Sequence, residues 1–349
     1  MSVLDLDALL RDATAQGASD IHVAVEVPPV LRISGALVRQ GSEALTVADC
    51  DAALGHLATE EQAGRLQERG EVDFSYSLSG VGRFRVAAFR QRGSVSLAIR
   101  PIPSRLPDLR ELHTPDAVVA LALRPSGLIV LAGRAGSGKS TTMAAMVDCI
   151  NRERAAHVIT LEDPVEYLHR HRRSVINQRE IGVDSLGFPQ ALRAALRQNP
   201  DVIVVGEVRD ADTAQLALTA AGMGPLVIAV VRQPDTASAL EYLVGLQPPE
   251  QQGQASWQLA SVLEGAVAQV LLPRRDGAGR VAVFEVLMAT PAVRTLVREG
   301  KRQQLPSLVR AGIRHGMRTL DQSWRDLVEQ GLLDDGEIPP FSVAAAGLG

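Results

Sequence analysis

The chain has 349 residues, 46% apolar and 22% charged, with a net charge of −4; that length predicts two domains, each large enough to bury a core. The balance excludes a disordered chain and lacks the basic excess of a duplex-DNA binder, so no direct nucleic-acid partner is expected. Two distant cysteines, Cys50 and Cys149, exclude a disulfide scaffold and read as core thiols in a reducing compartment. The N-terminus carries no export signal and no apolar stretch is long enough to span a bilayer, which predicts a cytoplasmic protein.

From the N-terminus, Leu6, Leu9, Leu10 and Ala13 recur at helical spacing, Gly17 to Asp20 breaks the pattern, and Ile21–Val25 alternates as a strand. Strands are predicted at Leu31–Ile33, Val72–Tyr76, Arg83–Phe89 and Val95–Arg100, with one helix from Asp49 to Glu68 between them. Residues 1–100 thus form a small α+β domain. Pro101, Pro103 and Pro107 mark a stiff linker over 101–115, because proline fixes φ and restricts its predecessor. Over 116–290 the apolar strands Leu128–Leu131, Val158–Leu161, Val202–Val205 and Leu226–Val231 alternate with helical stretches, the α/β pattern of a mostly parallel sheet covered on both faces. Residues 291–337 read as helical and 338–349 as a loose tail. Trp257 and Trp324 read as packing residues.

The strand at Leu128–Leu131 runs into Gly133, Arg134, Ala135, Gly136, Ser137, Gly138, Lys139 and Ser140, followed by a helix-forming stretch from Thr141. A glycine-rich loop in that setting turns backbone N–H groups and the positive end of a helix onto phosphates. Lys139 would reach the β- and γ-phosphates of ATP, and the Ser140 hydroxyl would complete a Mg²⁺ shell. Only two of the 36 basic residues are lysines, Lys139 and Lys301. A chain this rich in arginine has kept a compact ammonium at the phosphate loop.

Hydrolysis also needs a carboxylate beside the γ-phosphate. Asp201–Glu207 is a buried-strand pattern ending on an acid, and strand C-termini face the ligand crevice of an open parallel sheet; Glu207 is the candidate base. The second apolar-then-acidic run, Val158 to Pro164, offers Glu162 and Asp163, with Glu166 behind, to hold Mg²⁺ or the lytic water. Arg209 is either a γ-phosphate sensor or a partner for Asp210.

Taken in order, Gly17–His22, Gly133–Ser140, the acidic run Ile159–Glu166 and the segment Asn199–Asp210 resemble the GspE/PilT-like secretion ATPases, and within them the type IV pilus retraction branch, over nearly the whole chain. The resemblance implies a PAS-like N-terminal domain, a RecA-like ATPase domain and a homohexamer with ATP between subunits. It also implies a motor that pulls through an inner-membrane pilus platform protein, peripheral to that membrane, and that works beside a second retraction ATPase where one is present. Residues 292–299 look like the C-terminal helix of retraction motors, and two cysteines cannot build the tetracysteine zinc site of the assembly branch. In that family arginines of the N-terminal domain reach an adjoining nucleotide site, which here nominates Arg83, Arg92 and Arg100. One departure is large: where the family carries its two histidines, this chain has Pro225 and Arg232. Imidazole accepts a proton and guanidinium does not. Arg232 is therefore a phosphate clamp, or the mark of a weakly hydrolysing scaffold paralogue. A secretion or DNA-uptake motor on the same fold is a third possibility.

Overall fold

The computed structural model describes residues 4–33, 35–102, 106–277 and 279–335. The chain divides into two compact units, Met1–Arg105 and Leu106–Gly349. Parts of the proposed linker, 103–105, and the proposed tail, 338–349, lie outside the described residues.

In the N-terminal unit, Asp5 caps α1 (Leu6–Ala15) by accepting the Ala8 N–H at 3.0 Å, and Leu6, Leu9, Leu10 and Ala13 are its buried stripe. Then come β1 (Asp20–Val23), β2 (Val30–Ile33), β3 (Ala36–Arg39), α2 (Val47–Leu57), α3 (Glu60–Arg69), β4 (Glu71–Leu78), β5 (Gly82–Gln91) and β6 (Ser94–Ile102). They form an antiparallel sheet of order β3-β2-β1-β6-β5-β4. The single helix predicted over Asp49–Glu68 is in fact two. Thr59 accepts from the Gln62 N–H while the Gln62 side chain accepts the Thr59 N–H; this capping box starts a new helix and ends the old one at Leu57. The overlooked β3 is exposed at all four residues, an edge strand without the alternation that betrays a buried face. On β5, Phe84, Val86 and Ala88 point into the core with Ile21, Leu31, Leu97 and Ile99.

The C-terminal unit comprises α4 (Asp116–Ala122), β7 (Gly127–Ala132), α5 (Lys139–Glu153), β8 (His157–Glu162), β9 (Val175–Glu180), α6 (Phe188–Ala195), β10 (Val202–Val205), α7 (Ala211–Gly222), β11 (Leu226–Val231), α8 (Thr236–Gly245), α9 (Gln252–Val262), β12 (Leu263–Pro273), β13 (Arg280–Met288), α10 (Pro291–Arg298), α11 (Leu305–Ala311) and α12 (Leu320–Glu329). Its sheet has the order β13-β12-β7-β11-β10-β8-β9, parallel except for β13. Every residue of β7, β10 and β11 is buried. Period two sends Leu128, Val130, Ile203 and Val205 to one face and Ile129, Leu131, Val202 and Val204 to the other, each meeting its own layer of helices.

Three strands here escape periodicity. β9 is a sheet edge, and β12 follows α9 without a turn signal and is built from helix-compatible Ala, Leu and Gln as well as Val; β13 pairs with β12 over nine residues. Residues 106–115, read as linker, pack on the C-terminal unit: Leu109 is 1% exposed, and Asp108 pairs with Arg152 of α5 at 2.6 Å. Cys50 and Cys149 are buried free thiols. Trp324 packs against the small cluster of Val281, Val283 and Leu327, whereas Trp257 is 61% exposed, against expectation. Among the described residues no helix is long and apolar enough to cross a membrane.

Candidate nucleotide site

Four neighbouring parallel strands end at one edge of the sheet. In spatial order β7, β11, β10 and β8, their C-termini carry the glycine-rich loop, Arg232, Glu207 and Glu162. Register aligns them: Val231 pairs with Ala132, so Arg232 emerges level with Gly133, and Val205 pairs with both Ala229 and Leu161. After β10 the backbone splits its allegiance, with Gly206 N–H bonding to Leu161 O and Val208 N–H to Val230 O, both at 2.8 Å. A side chain at Gly206 would meet Leu161 O at 2.9 Å, so only glycine allows this approach and the placing of Glu207 against β11.

Within the loop, Gly138 has φ +87° and caps α5 in the left-handed region, open to glycine at little cost. At Gly133 (φ +154°) a Cβ would lie 2.8 Å from the Gln269 carbonyl oxygen. Gln269, buried on β12, also donates from Nε2 to Ser137 O at 2.7 Å and so braces the loop from behind. Lys139, Ser140 and Thr141 open α5, where N–H groups have no acceptor within the helix. The Lys139 ammonium donates to Gly133 O at 2.7 Å and Arg134 O at 2.8 Å. Burial, then Arg232, hold its pKa below the ordinary lysine value, with Glu207 and Glu166 opposing. Ser137 Oγ is buried without a hydrogen-bond partner. Free helix donors, a low-lying ammonium and an orphaned hydroxyl in one loop fit a polyphosphate.

On the acidic side, Arg232 bridges both oxygens of Glu207, Nε to Oε1 at 2.7 Å and Nη2 to Oε2 at 3.0 Å. Arg209 does not pair with Asp210, which instead caps α7 through Thr213. It lies 3.7 Å from Asp163 and 5.8 Å over the Phe188 ring, so the Asp163 carboxylate is turned to a cation. Glu162 is 4% exposed; it accepts from Thr160 Oγ1 at 2.6 Å and Gln178 Nε2 at 3.0 Å. Burial raises its pKa against those hydrogen bonds. Among the described residues no group of three or more His, Cys, Asp or Glu side chains converges as a metal site. Glu162 and Asp163 are thus engaged with protein partners here.

The N-terminal arginines are placed within their own unit. Arg83 is half-buried on β5, and Arg92 sits at the β5–β6 hairpin tip with φ +51° beside Gly93. Arg100 binds Asp20 Oδ1 through Nε and Nη2 at 3.0 and 2.8 Å, while Arg32 lies 3.7 Å from Oδ2. Burial of Asp20 is outweighed by hydrogen bonds from Arg100 and Ser19, and its pKa is lowered.

Sequence reasoning missed four supporting residues. Gln269 braces the loop. Gln178 binds Glu162, donates to Tyr167 O at 2.7 Å and accepts the His169 N–H at 2.8 Å, and the Tyr167 hydroxyl returns to Thr141 Oγ1 at 2.9 Å. Glu285 accepts both the Thr236 N–H, at 2.8 Å, and its hydroxyl, at 2.6 Å, which pins the start of α8 four residues beyond Arg232. All sit on β9, β12 and β13 or in a loop, where periodicity gave no placement.

Residues 2–338 match the type II/IV secretion system protein family. The chain is 38% identical over 330 residues to the type IV pilus retraction ATPase PilT of Pseudomonas aeruginosa, covering 95% of this chain and 96% of PilT. It is 41% identical over 330 residues to the Escherichia coli protein YggR, covering 95% and 100%. The crystal structure of the pilus retraction motor PilT with bound ADP matches with a TM-score of 0.88 at 41% identity, over 95% of each chain. The chain therefore belongs to the type II/IV secretion system protein family, as a PilT-like secretion ATPase with a RecA-like core.

Proposed function

We propose that this chain is an ATP-hydrolysing motor subunit that works as a homohexamer and drives retraction of a type IV pilus. The observation that carries the reading is that the phosphate loop leading into Lys139, Arg232 and Glu207 follow the C-terminal ends of β7, β11 and β10, three consecutive strands of the sheet, beside the N-terminus of α5. Phosphates of ATP would lie on the N–H groups of residues 133–141 with Lys139 on the outer phosphates, and Glu207 would accept the proton of the attacking water. Mg²⁺, held by Ser140 and the phosphate oxygens, would neutralise charge developing on the transferred group. Arg83, Arg92 and Arg100 are proposed to serve a neighbouring copy's site. Arg209 would hold the Asp163 loop. The ring would act on the cytoplasmic side of an inner-membrane platform protein, beside a second retraction ATPase where one is present.

Mg²⁺-dependent phosphate release by the purified chain tests this directly. Lys139→Ala and Glu207→Gln are each expected to lower turnover at least about 100-fold. Unchanged rates in both variants would sink the assignment.

A second reading is favoured by one residue. Arg232 stands where the family's histidine would be, which fits a slow, ATP-binding ring that regulates an active homologue. If the parent chain is nearly inert and Arg232→His raises turnover severalfold, the scaffold reading replaces the motor.

A further inference from the structure

We propose that Arg232 and Glu207 form a latch that the γ-phosphate opens: the arginine holds the catalytic carboxylate until a nucleoside triphosphate draws the guanidinium away, so that Arg232 discriminates ATP from ADP. The inference rests on the nucleotide site proposed above and adds a specificity role to it.

The geometry supplies the two alternative partners. Arg232 is fixed at one end, because Val231 is in register with Ala132 on β7 and Thr236 is clamped by Glu285. Asp235 caps α8 through the Ser238 N–H at 2.7 Å, which leaves only a short connection between strand and helix. The side chain is 65% exposed, and its far end is paired with Glu207. β11, which carries Arg232, lies between β10, which carries Glu207, and β7, which carries the phosphate loop; Arg232 and Glu207 both act electrostatically on Lys139, with opposite sign. A guanidinium stays charged at any ordinary pH and binds carboxylate and phosphate with the same two-pronged fork. It will therefore exchange a singly charged carboxylate for a phosphate bearing more charge. While the pair is closed both Glu207 oxygens are engaged, and water must compete with the fork for them. When it opens, one movement presents a cation to the γ-phosphate and an unengaged carboxylate to water. ADP, lacking that phosphate, leaves the pair closed.

The test reads binding in the full chain, with Mg²⁺, a non-hydrolysable ATP analogue and ADP as titrants. Glu207→Gln breaks the latch and is expected to tighten analogue binding about fivefold, the worth of a well-formed partly exposed ion pair, with ADP affinity unchanged. In an Arg232→Gln background that gain is expected to shrink below about twofold. Simple repulsion between Glu207 and phosphate predicts the reverse, a gain as large or larger once Arg232 is gone, and that result overturns the proposal. So does an equal gain for ADP. Arg232→Lys, which keeps the charge without the fork, supplies an intermediate gain if the glutamine variant fails to fold. An inert parent chain with this coupling intact would refute the motor and keep the latch; brisk hydrolysis without coupling would refute the latch alone.

Discussion

Arg232 holds Glu207 by two contacts of 2.7 and 3.0 Å, yet its side chain is 65% exposed while that of Glu207 is 16% exposed. Solvent on the arginine side screens the pair, so its contribution to folding is about 1 kcal/mol or less. Arg232→Gln is accordingly expected to melt within about 4 °C of the parent. A fall of about 10 °C or more in the same thermal melt would mean that the pair ties the strand ends together, with nucleotide response secondary.

Gly133→Ala separates a binding loop from a generic turn. Its Cβ would press on the Gln269 carbonyl at 2.8 Å and on Ser137, at a φ of +154° that side chains avoid, a strain of about 1–3 kcal/mol. The loop must shift, and nucleotide affinity is expected to fall at least about tenfold. Equilibrium titration with ADP measures it; undiminished affinity would show that Gly133 is not part of the phosphate cradle.

Much of this site was legible before any coordinates. A glycine-rich loop between an apolar strand and a helix has few meanings, and β10 and β11 announced themselves because strands buried on both faces are unbroken apolar runs. Acids or cations just past such runs, Glu162, Glu207 and Arg232, could then be placed at one edge. Side-chain pairing could not: Arg209 was left open between a γ-phosphate sensor and a partner for Asp210, whereas it faces Asp163, because that pairing depends on which loop crosses which. The bracing residues stayed hidden for a similar reason. Gln178 and Glu285 lie on strands with no clean alternation, and Gln269 on a strand continuous with a helix. The split of α2 from α3 was readable in principle, since Thr59 and Gln62 spell a capping box.

Gln178 connects three parts of the acidic loop, through Glu162, Tyr167 O and the His169 N–H. Gln178→Leu keeps the volume and removes all three bonds, leaving buried groups unsatisfied at a cost of about 2–3 kcal/mol. Turnover per folded molecule is expected to drop about tenfold with KM little changed, because a loosened Glu162 loop affects the hydrolytic step more than binding. A destabilised variant with normal kcat would confine Gln178 to a structural role.

His169 gives the fold a defined acid response. Burial, only partly opposed by Asp148, lowers its pKa from 6.5 to about 4, and Nδ1 is buried without a partner. Between those values the unfolded chain takes up a proton that the folded chain refuses. This group's contribution is therefore fully present above pH 6.5 and is lost as pH falls toward 4, at about 1.4 kcal/mol per unit. His169→Gln removes the titration, so whatever its stability at neutral pH, it should gain about 2 kcal/mol relative to the parent on going from pH 7.5 to pH 5. Urea midpoints at the two pH values measure that difference, and a constant offset between the proteins would show that the folded histidine accepts its proton as readily as the unfolded one.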